Sequence, residues 1–274
     1  MARLFDDASS QYLEIDSAVV GDEPLTLACW FNSDNVTARQ TAIYVGDKAS
    51  ADKHYWCLVL QGSFAAKPVS AITRGAGGES AATTSTGYSA NTWHHACAVF
   101  AANNDRAAFI DGGSKATNTG NQNVGTVDRT SLGRLGDATP SGYLSGLLAE
   151  AAIWNAALTD DEVALLAKGV SPLLVRPEAL VAYWPLIGNY SPEIDRAGGF
   201  NLTVTGATKA AHPRIFYPPR ARIMTKAGGP PPPASLAYPR RGRRQPLLRF
   251  HHHEFLRRSP AAARQPGPLA ARTA

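Results

Sequence analysis

Short runs rich in β-branched and aromatic residues recur from the N-terminus: "QYLEI", "LTLACWF", "TAIYV", "HYWCLVL", "VSAIT", "TWHHACAVF", "RAAFI", "TSLGRL" and "SGLLAEAAIW". Gly, Asn, Asp and Ser separate them, the residues that turns select. Strand-length runs in this number, at this spacing, predict an all-β chain folded as a β-sandwich or jelly roll.

One segment breaks the pattern. In "LTDDEVALLAKG", Thr159 and Glu162 are spaced as a capping box. Asp160 and Asp161 suit the positive end of a helix. Val163, Leu165 and Leu166 supply an apolar stripe, and Gly169 is a natural stop. This is the one short helix the sequence predicts. Pro172 and Pro177 then enforce an extended passage, and "ALVAYWPL" and "FNLTVTG" read as two further strands.

The run "NTWHHACAVF" raises the question of a metal or catalytic site. Side chains alternate along a strand. Trp93, His95, Cys97 and Val99 therefore share one face, and His94, Ala96, Ala98 and Phe100 the other. Adjacent histidines pointing opposite ways cannot chelate one ion. His95 reads as a hydrogen-bonded core histidine, while His94 would line an open face.

Composition agrees with a turn-rich β architecture. Charged residues make up 18%, with 24 Gly and 19 Pro. No apolar run is long enough for a membrane-spanning helix, and the start "MARLFDDASSQYLEID" carries no signal-peptide core. Cys29, Cys57 and Cys97 all sit in apolar strand-like runs. They read as buried thiols made in a reducing cytoplasm; one disulfide with one thiol left over is the alternative.

The net charge of +5 is unevenly spread. Residues 218–274 hold 12 Lys and Arg against Glu254 alone, a net of +11. Residues 1–217 hold 15 basic and 21 acidic residues, a net of −6. The last segment also holds 11 of the 19 prolines, including "GGPPPPA", and the clusters "PRRGRR" and "FLRR". Few of its residues can build a core, so an extended Pro/Arg-rich arm is expected there.

A family resemblance rests on the order of several of these pieces. "FDDASSQYLEID" looks like an opening strand pair, and "LTLACWFN" like the strand ending in Trp plus an aromatic. "TWHHACAVF" is similar to a Trp-His-His-hydrophobic-Ala strand, and "AAFIDG" to a strand ending at an Asp-Gly hairpin. "GYLSGLLAEAAIWNAALTDDEVALLAKG" matches a closing block, with Gly146 before the last long strand. Residues 3–170 thus resemble the laminin-G-like, concanavalin A-like lectin/glucanase superfamily. The resemblance implies a jelly roll of two antiparallel sheets packed face to face, and glycan or protein binding without catalysis. The passage after residue 170 is similar to extensions of such domains in phage and prophage structural proteins. The chain then divides into a jelly roll at 1–170, an extension packing on it at 171–217, and a basic arm at 218–274.

The superfamily also includes glycosidases with a Glu-x-Asp-x-x-Glu strand. Retaining glycosidases need two carboxylates about 5 Å apart. Glu14 and Asp16 match the first two positions, but Val19 stands at the third, so no catalytic residue is assigned. Glu150 alternates with Leu148 and Ala152 and reads as a buried acceptor for a loop. Calcium is the ion the resemblance implies. Asp6, Asp7, Asp47, Asp111 and Asp137 are loop acids that would have to converge at one sandwich end, and none lies in a run as dense as an EF-hand. No metal site and no cofactor is assigned, with calcium kept as the alternative. Trp30, Trp56 and Tyr44 would stack on sugar rings if exposed, whereas Trp93, Trp154 and Trp184 belong to the core. Tyr88 and Tyr143, in Gly/Ser-rich loops, are the ligand-binding candidates, together with His94.

These readings predict a non-catalytic module of a multi-subunit assembly: a phage virion decoration or tail-associated protein, made in the host cytoplasm. Its arm would dock on other virion subunits of an oligomer through Arg240, Arg241, Arg243, Arg244, Phe250, Phe255, Arg257 and Arg258. A surface glycan is a further partner; a membrane is not, and nucleic acid is disfavoured because no aromatic ladder accompanies the arginines. A carbohydrate-binding adhesin is the alternative function, and a glycoside hydrolase the third.

Overall fold

The computed structural model describes residues 2–49 and 54–217. The arm residues Arg240, Arg241, Arg243, Arg244, Phe250, Phe255, Arg257 and Arg258 lie outside the described residues.

Two antiparallel sheets stack face to face. The first holds β1 (Ala2–Phe5), β3 (Leu25–Ser33), β8 (His94–Ala102), β9 (Asp105–Ile110), β10 (Gly113–Asn118), β12 (Gly146–Trp154), β13 (Leu180–Trp184) and β15 (Thr208–Ala210). Its order is β10-β9-β8-β3-β12-β1-β15, with β13 also on β12. The second holds β2 (Tyr12–Ile15), β4 (Arg39–Gly46), β5 (Tyr55–Gln61), β6 (Pro68–Gly75), β7 (Gly78–Gly87), β11 (Arg129–Leu132) and β14 (Thr203–Thr205). Its order is β14-β2-β11-β4-β5-β6-β7. The all-β jelly-roll expectation is met, with the alternation of side chains as its cause. In β8, Ala96, Ala98 and Phe100 enter the core between the sheets, while Cys97 and Val99 point to the opposite face.

Each sheet also has part of its outer face covered. Over the first lies α1 (Asp160–Ala167), which packs Val163 and Leu166 on Cys97, Val99, Trp154 and Tyr183. The predicted capping box is present: Thr159 Oγ1 accepts from Glu162 N at 3.3 Å, and Glu162 Oε2 accepts from Thr159 N at 2.7 Å. Gly169 ends the helix at φ +85°.

Over the second sheet lies the loop 133–145. It begins where the short β11 stops and continues hydrogen bonding to β4 in its place. Gly133 N donates to Ala42 O at 3.0 Å and Gly142 O accepts from Thr41 N at 2.8 Å. Leu135 then packs on Tyr44, Tyr55, Cys57, Val59 and Ile72, which form a cluster of their own outside the main core.

Residues beyond 170 add to both sheets. β13 pairs with β12, β14 with β2, and β15 with β1. Trp184 is fully buried and donates from Nε1 to Phe200 O at 2.7 Å. The polar strand β7, "GESAATTSTG", has no apolar run that would announce it. It pairs with β6 at the edge of its sheet, where one face meets water. All three cysteines are free and buried. No helix among the described residues is long and apolar enough to cross a membrane.

Candidate functional site

The three residues expected to bind a ligand fall in different surroundings. Tyr88 is buried at 3% exposure, stands edge-on to Phe31 at 5.3 Å, and donates to Asn35 O at 3.2 Å. Burial pushes its phenol up to about 12. It follows β7 directly and its ring joins the core between the sheets, so it offers no stacking face. His94 packs on the same Phe31, at 5.8 Å. Its Nδ1 lies 2.8 Å from Asp111 Oδ2 and its Nε2 accepts from Ser89 N at 3.1 Å. Both ring nitrogens are thus engaged in holding loops. Burial works against the Asp111 carboxylate, yet the bonds from His94 and the His95 amide keep its pKa below the ordinary value. Tyr143 is the remaining one, half-buried on the 133–145 loop.

Other aromatics divide similarly. Trp56 and Tyr44 are fully buried, as are Trp154 and Trp184, whereas Trp93 is half-buried at a strand entry rather than in the core. Trp30 is also half-buried, its ring 5.5 Å from His95.

The carboxylates suggested by the glycosidase pattern are occupied by arginines. Glu14 bonds Arg134, whose guanidinium also lies 3.4 Å over the Tyr12 ring. Asp16 accepts from Arg129 at 2.7 and 2.9 Å, and that bond holds its carboxyl below the usual range. An Asp16 held ionised in this way has no proton to give a leaving group. Glu150 is buried in a bulge of β12 at φ +53°. It accepts from Tyr183 Oη at 2.6 Å and Tyr217 Oη at 2.7 Å, and His212 Nε2 lies 3.0 Å away. This is the acceptor role expected of it, extended to two tyrosines far along the chain.

The loop acids have separate hydrogen-bond partners. Asp6 caps its own turn at Ala8 N, Asp7 meets Asn35, Asp47 accepts from Ala49 N, and Asp137 from Thr139 N. Among the described residues no group of three or more His, Cys, Asp or Glu is placed to hold a metal.

A groove not foreseen from the sequence lies on the outer face of the second sheet. The 133–145 loop covers the middle of that face and leaves an open space of about 340 Å³ beside it. Its lining comes from β4 (Arg39, Thr41), β5 to β7 (Tyr55, Arg74, Glu79) and the loop (Leu135, Ser141, Gly142). Register explains the convergence. Tyr55 stands opposite Arg74, and Arg74 opposite Glu79, so the three form one cross-strand row on the outer face. Arg39 lies opposite Gln61, at the other end of its strand pair, and reaches back along the face. Its Nη2 is 3.2 Å from Glu79 Oε2. Tyr55 Oη donates to the same oxygen at 3.1 Å. The volume falls at the lower end of the about 300–1,000 Å³ typical of small-molecule sites. The described lining is polar, open on one side, and holds one carboxylate, that of Glu79.

Comparison with known proteins places the fold in a family. A solved protein from Bacteroides ovatus, described as a "putative carbohydrate binding protein", superposes with a TM-score of 0.58 at 18% identity over 78% of this chain. The chain spans 61% of that protein's length. The CBM40 module of a Ruminococcus gnavus sialidase, solved with α2,3-sialyllactose, gives 0.47 at 16% identity over 53% of this chain and 83% of its own. Mouse laminin α1 domains LG4-5 give 0.43 at 12% identity over 56% of this chain and 40% of theirs. No curated protein sequence matches. The laminin G family model matches residues 7–164, more than half of the chain. With that match and the two-sheet architecture, the chain belongs to the concanavalin A-like lectin/glucanases superfamily.

Proposed function

We propose that this chain is a non-catalytic binding module whose ligand is a saccharide seated in the groove between the 133–145 loop and β4–β7. The observation that carries the reading is the groove itself: a polar-lined space of about 340 Å³ on a partly covered sheet face. Hydroxyls and charged groups converge there from four strands and a loop, which is how a site recognises a hydroxyl-rich ligand. The fold shared with the Bacteroides ovatus protein described as carbohydrate binding supports the same reading. The non-enzymatic part rests on carboxylates that are each tied to arginines or tyrosines.

The test is an oligosaccharide array probed with the full chain and with Ser141→Trp, which fills the groove from an exposed loop position. Wild-type binding that the variant loses supports the reading. Binding unchanged in the variant moves the site elsewhere, and release of reducing ends by the wild type overturns the non-catalytic assignment.

A second reading is favoured by the charge distribution. The +11 of residues 218–274 complements the −6 of residues 1–217. We infer that the basic segment docks on acidic surfaces of neighbouring subunits in an oligomeric assembly, such as a phage virion. A chain ending at Tyr217 would then fold and fail to incorporate; normal assembly without residues 218–274 would refute this.

A further inference from the structure

We propose that the saccharide taken by the groove carries a carboxylate, an inference that rests on the groove being the saccharide site. Of the eight described lining residues three are charged: Arg39, Arg74 and Glu79. Among the described residues the lining therefore carries one more positive than negative charge.

The distribution of hydrogen bonds shows where that charge is available. Tyr55 Oη and Arg39 Nη2 both converge on Glu79 Oε2, at 3.1 and 3.2 Å. Arg74 Nη1 is 4.0 Å from the same oxygen, beyond hydrogen-bond length. One carboxylate thus faces two guanidinium groups, which together offer ten N–H donors. Arg74 is the less satisfied of the two, since its Nε–H is buried without an acceptor. Neither guanidinium is locked away: the Arg39 and Arg74 side chains are 39% and 35% exposed.

The apolar half of ordinary sugar recognition is missing. Stacking on the flat face of a neutral pyranose needs an exposed ring. Tyr55 is the one aromatic among the described lining residues, and it is 2% exposed with its hydroxyl already engaged. Recognition therefore falls to the arginines. A planar fork of donors matches a carboxylate bidentately. A carboxylate lying beside Arg74 would neutralise the surplus charge, supply the acceptor that Glu79 does not, and leave the pairing of Arg39 with Glu79 intact. Ser141, exposed at the loop side, is placed for a ring hydroxyl.

The experiment uses the full chain on an array of oligouronides, sialylated glycans, sulfated glycans and neutral oligosaccharides. The strongest ligand is then titrated by calorimetry beside its methyl ester, which keeps the ring and removes the charge. We expect a carboxylated glycan to bind best, with at least tenfold weaker binding of the methyl ester and of Arg74→Gln. Binding should weaken in high salt and tighten in Glu79→Gln, which removes the competing anion. Neutral or sulfated saccharides bound as tightly as carboxylated ones, and lost in Ser141→Trp, would overturn the carboxylate while leaving the saccharide site standing. No saccharide binding at all, or binding indifferent to Ser141→Trp, would sink the site itself. The ester comparison uses unaltered protein, so a poorly folding arginine variant does not rescue the proposal.

Discussion

Arg3 and Glu193, 190 residues apart in sequence, form a buried ion pair: Nη2 and Nε of Arg3 lie 2.7 and 2.9 Å from Glu193 Oε2, and both side chains are almost fully covered. Arg3 also donates to Ala207 O and Tyr190 O, and Glu193 Oε1 accepts from Gly188 N. The first strand and the residues beyond 185 are thus joined through one satisfied network. Removing one partner leaves a buried charge uncompensated, at a cost of about 3–5 kcal/mol. Arg3→Met and Glu193→Leu should each destabilise by that amount in urea titrations. The double variant should recover much of the loss, because no orphan charge remains. Additive losses would show that the two residues do not act as a pair.

His95 should make stability depend on pH. Burial draws its imidazole from 6.5 down to about 4, against the attraction of Asp111. As pH falls below 6.5 the unfolded chain takes up a proton that the folded chain refuses until near pH 4. Stability is therefore undiminished by this group above 6.5 and declines between 6.5 and 4, by up to about 3 kcal/mol. In His95→Leu this decline should be absent. Denaturation at about pH 7.5 and about pH 4.5 should show the variant gaining on the wild type as the medium acidifies. An unchanged difference at the two values would mean that His95 is protonated in the fold.

Tyr183 and Tyr217 both donate to Glu150, yet unequally. Tyr183 is buried and Tyr217 is 47% exposed, so water can replace the second donor but not the first. Tyr183→Phe should cost about 1.5–3 kcal/mol, as expected for a bond to a charged group, and Tyr217→Phe about 1 kcal/mol or less. Thermal unfolding of both variants tests the order; a larger loss for Tyr217→Phe would contradict it.

Gly146→Ala should be among the most damaging single changes in β12. The residue has φ +121°, and a Cβ there would lie 2.2 Å from Asn32 O and 2.7 Å from Ser33 Cα, both backbone atoms of the partner strand. Neither can yield without breaking the pairing of β3 with β12. Together with the strained conformation this implies a loss of about 3 kcal/mol or more. A melting temperature within error of the wild type would show that β3 shifts freely.

The sequence by itself determined the strands that bury a face on each side, and with them the fold class. Alternation in "TWHHACAVF" and "LTLACWF" specifies opposite faces whatever the neighbours are, and the Thr159–Glu162 box specifies a helix start from four consecutive residues. Strand β7 escaped because an edge strand facing water needs no apolar pattern. What only the tertiary structure decided is which outward-facing residues reach solvent. Tyr44, Cys57, Val59 and Ile72 point away from the main core and are nonetheless buried, because the 133–145 loop folds over them. Tyr88, placed in a Gly/Ser-rich stretch, turns inward to Phe31. The groove follows from the same causes: Arg39, Arg74 and Glu79 lie on three strands, and their meeting depends on strand register and on where the loop stops. Local pattern encodes the face a side chain takes, since that needs only the strand's own period. Exposure and convergence are relations between distant segments, and no local pattern encodes them.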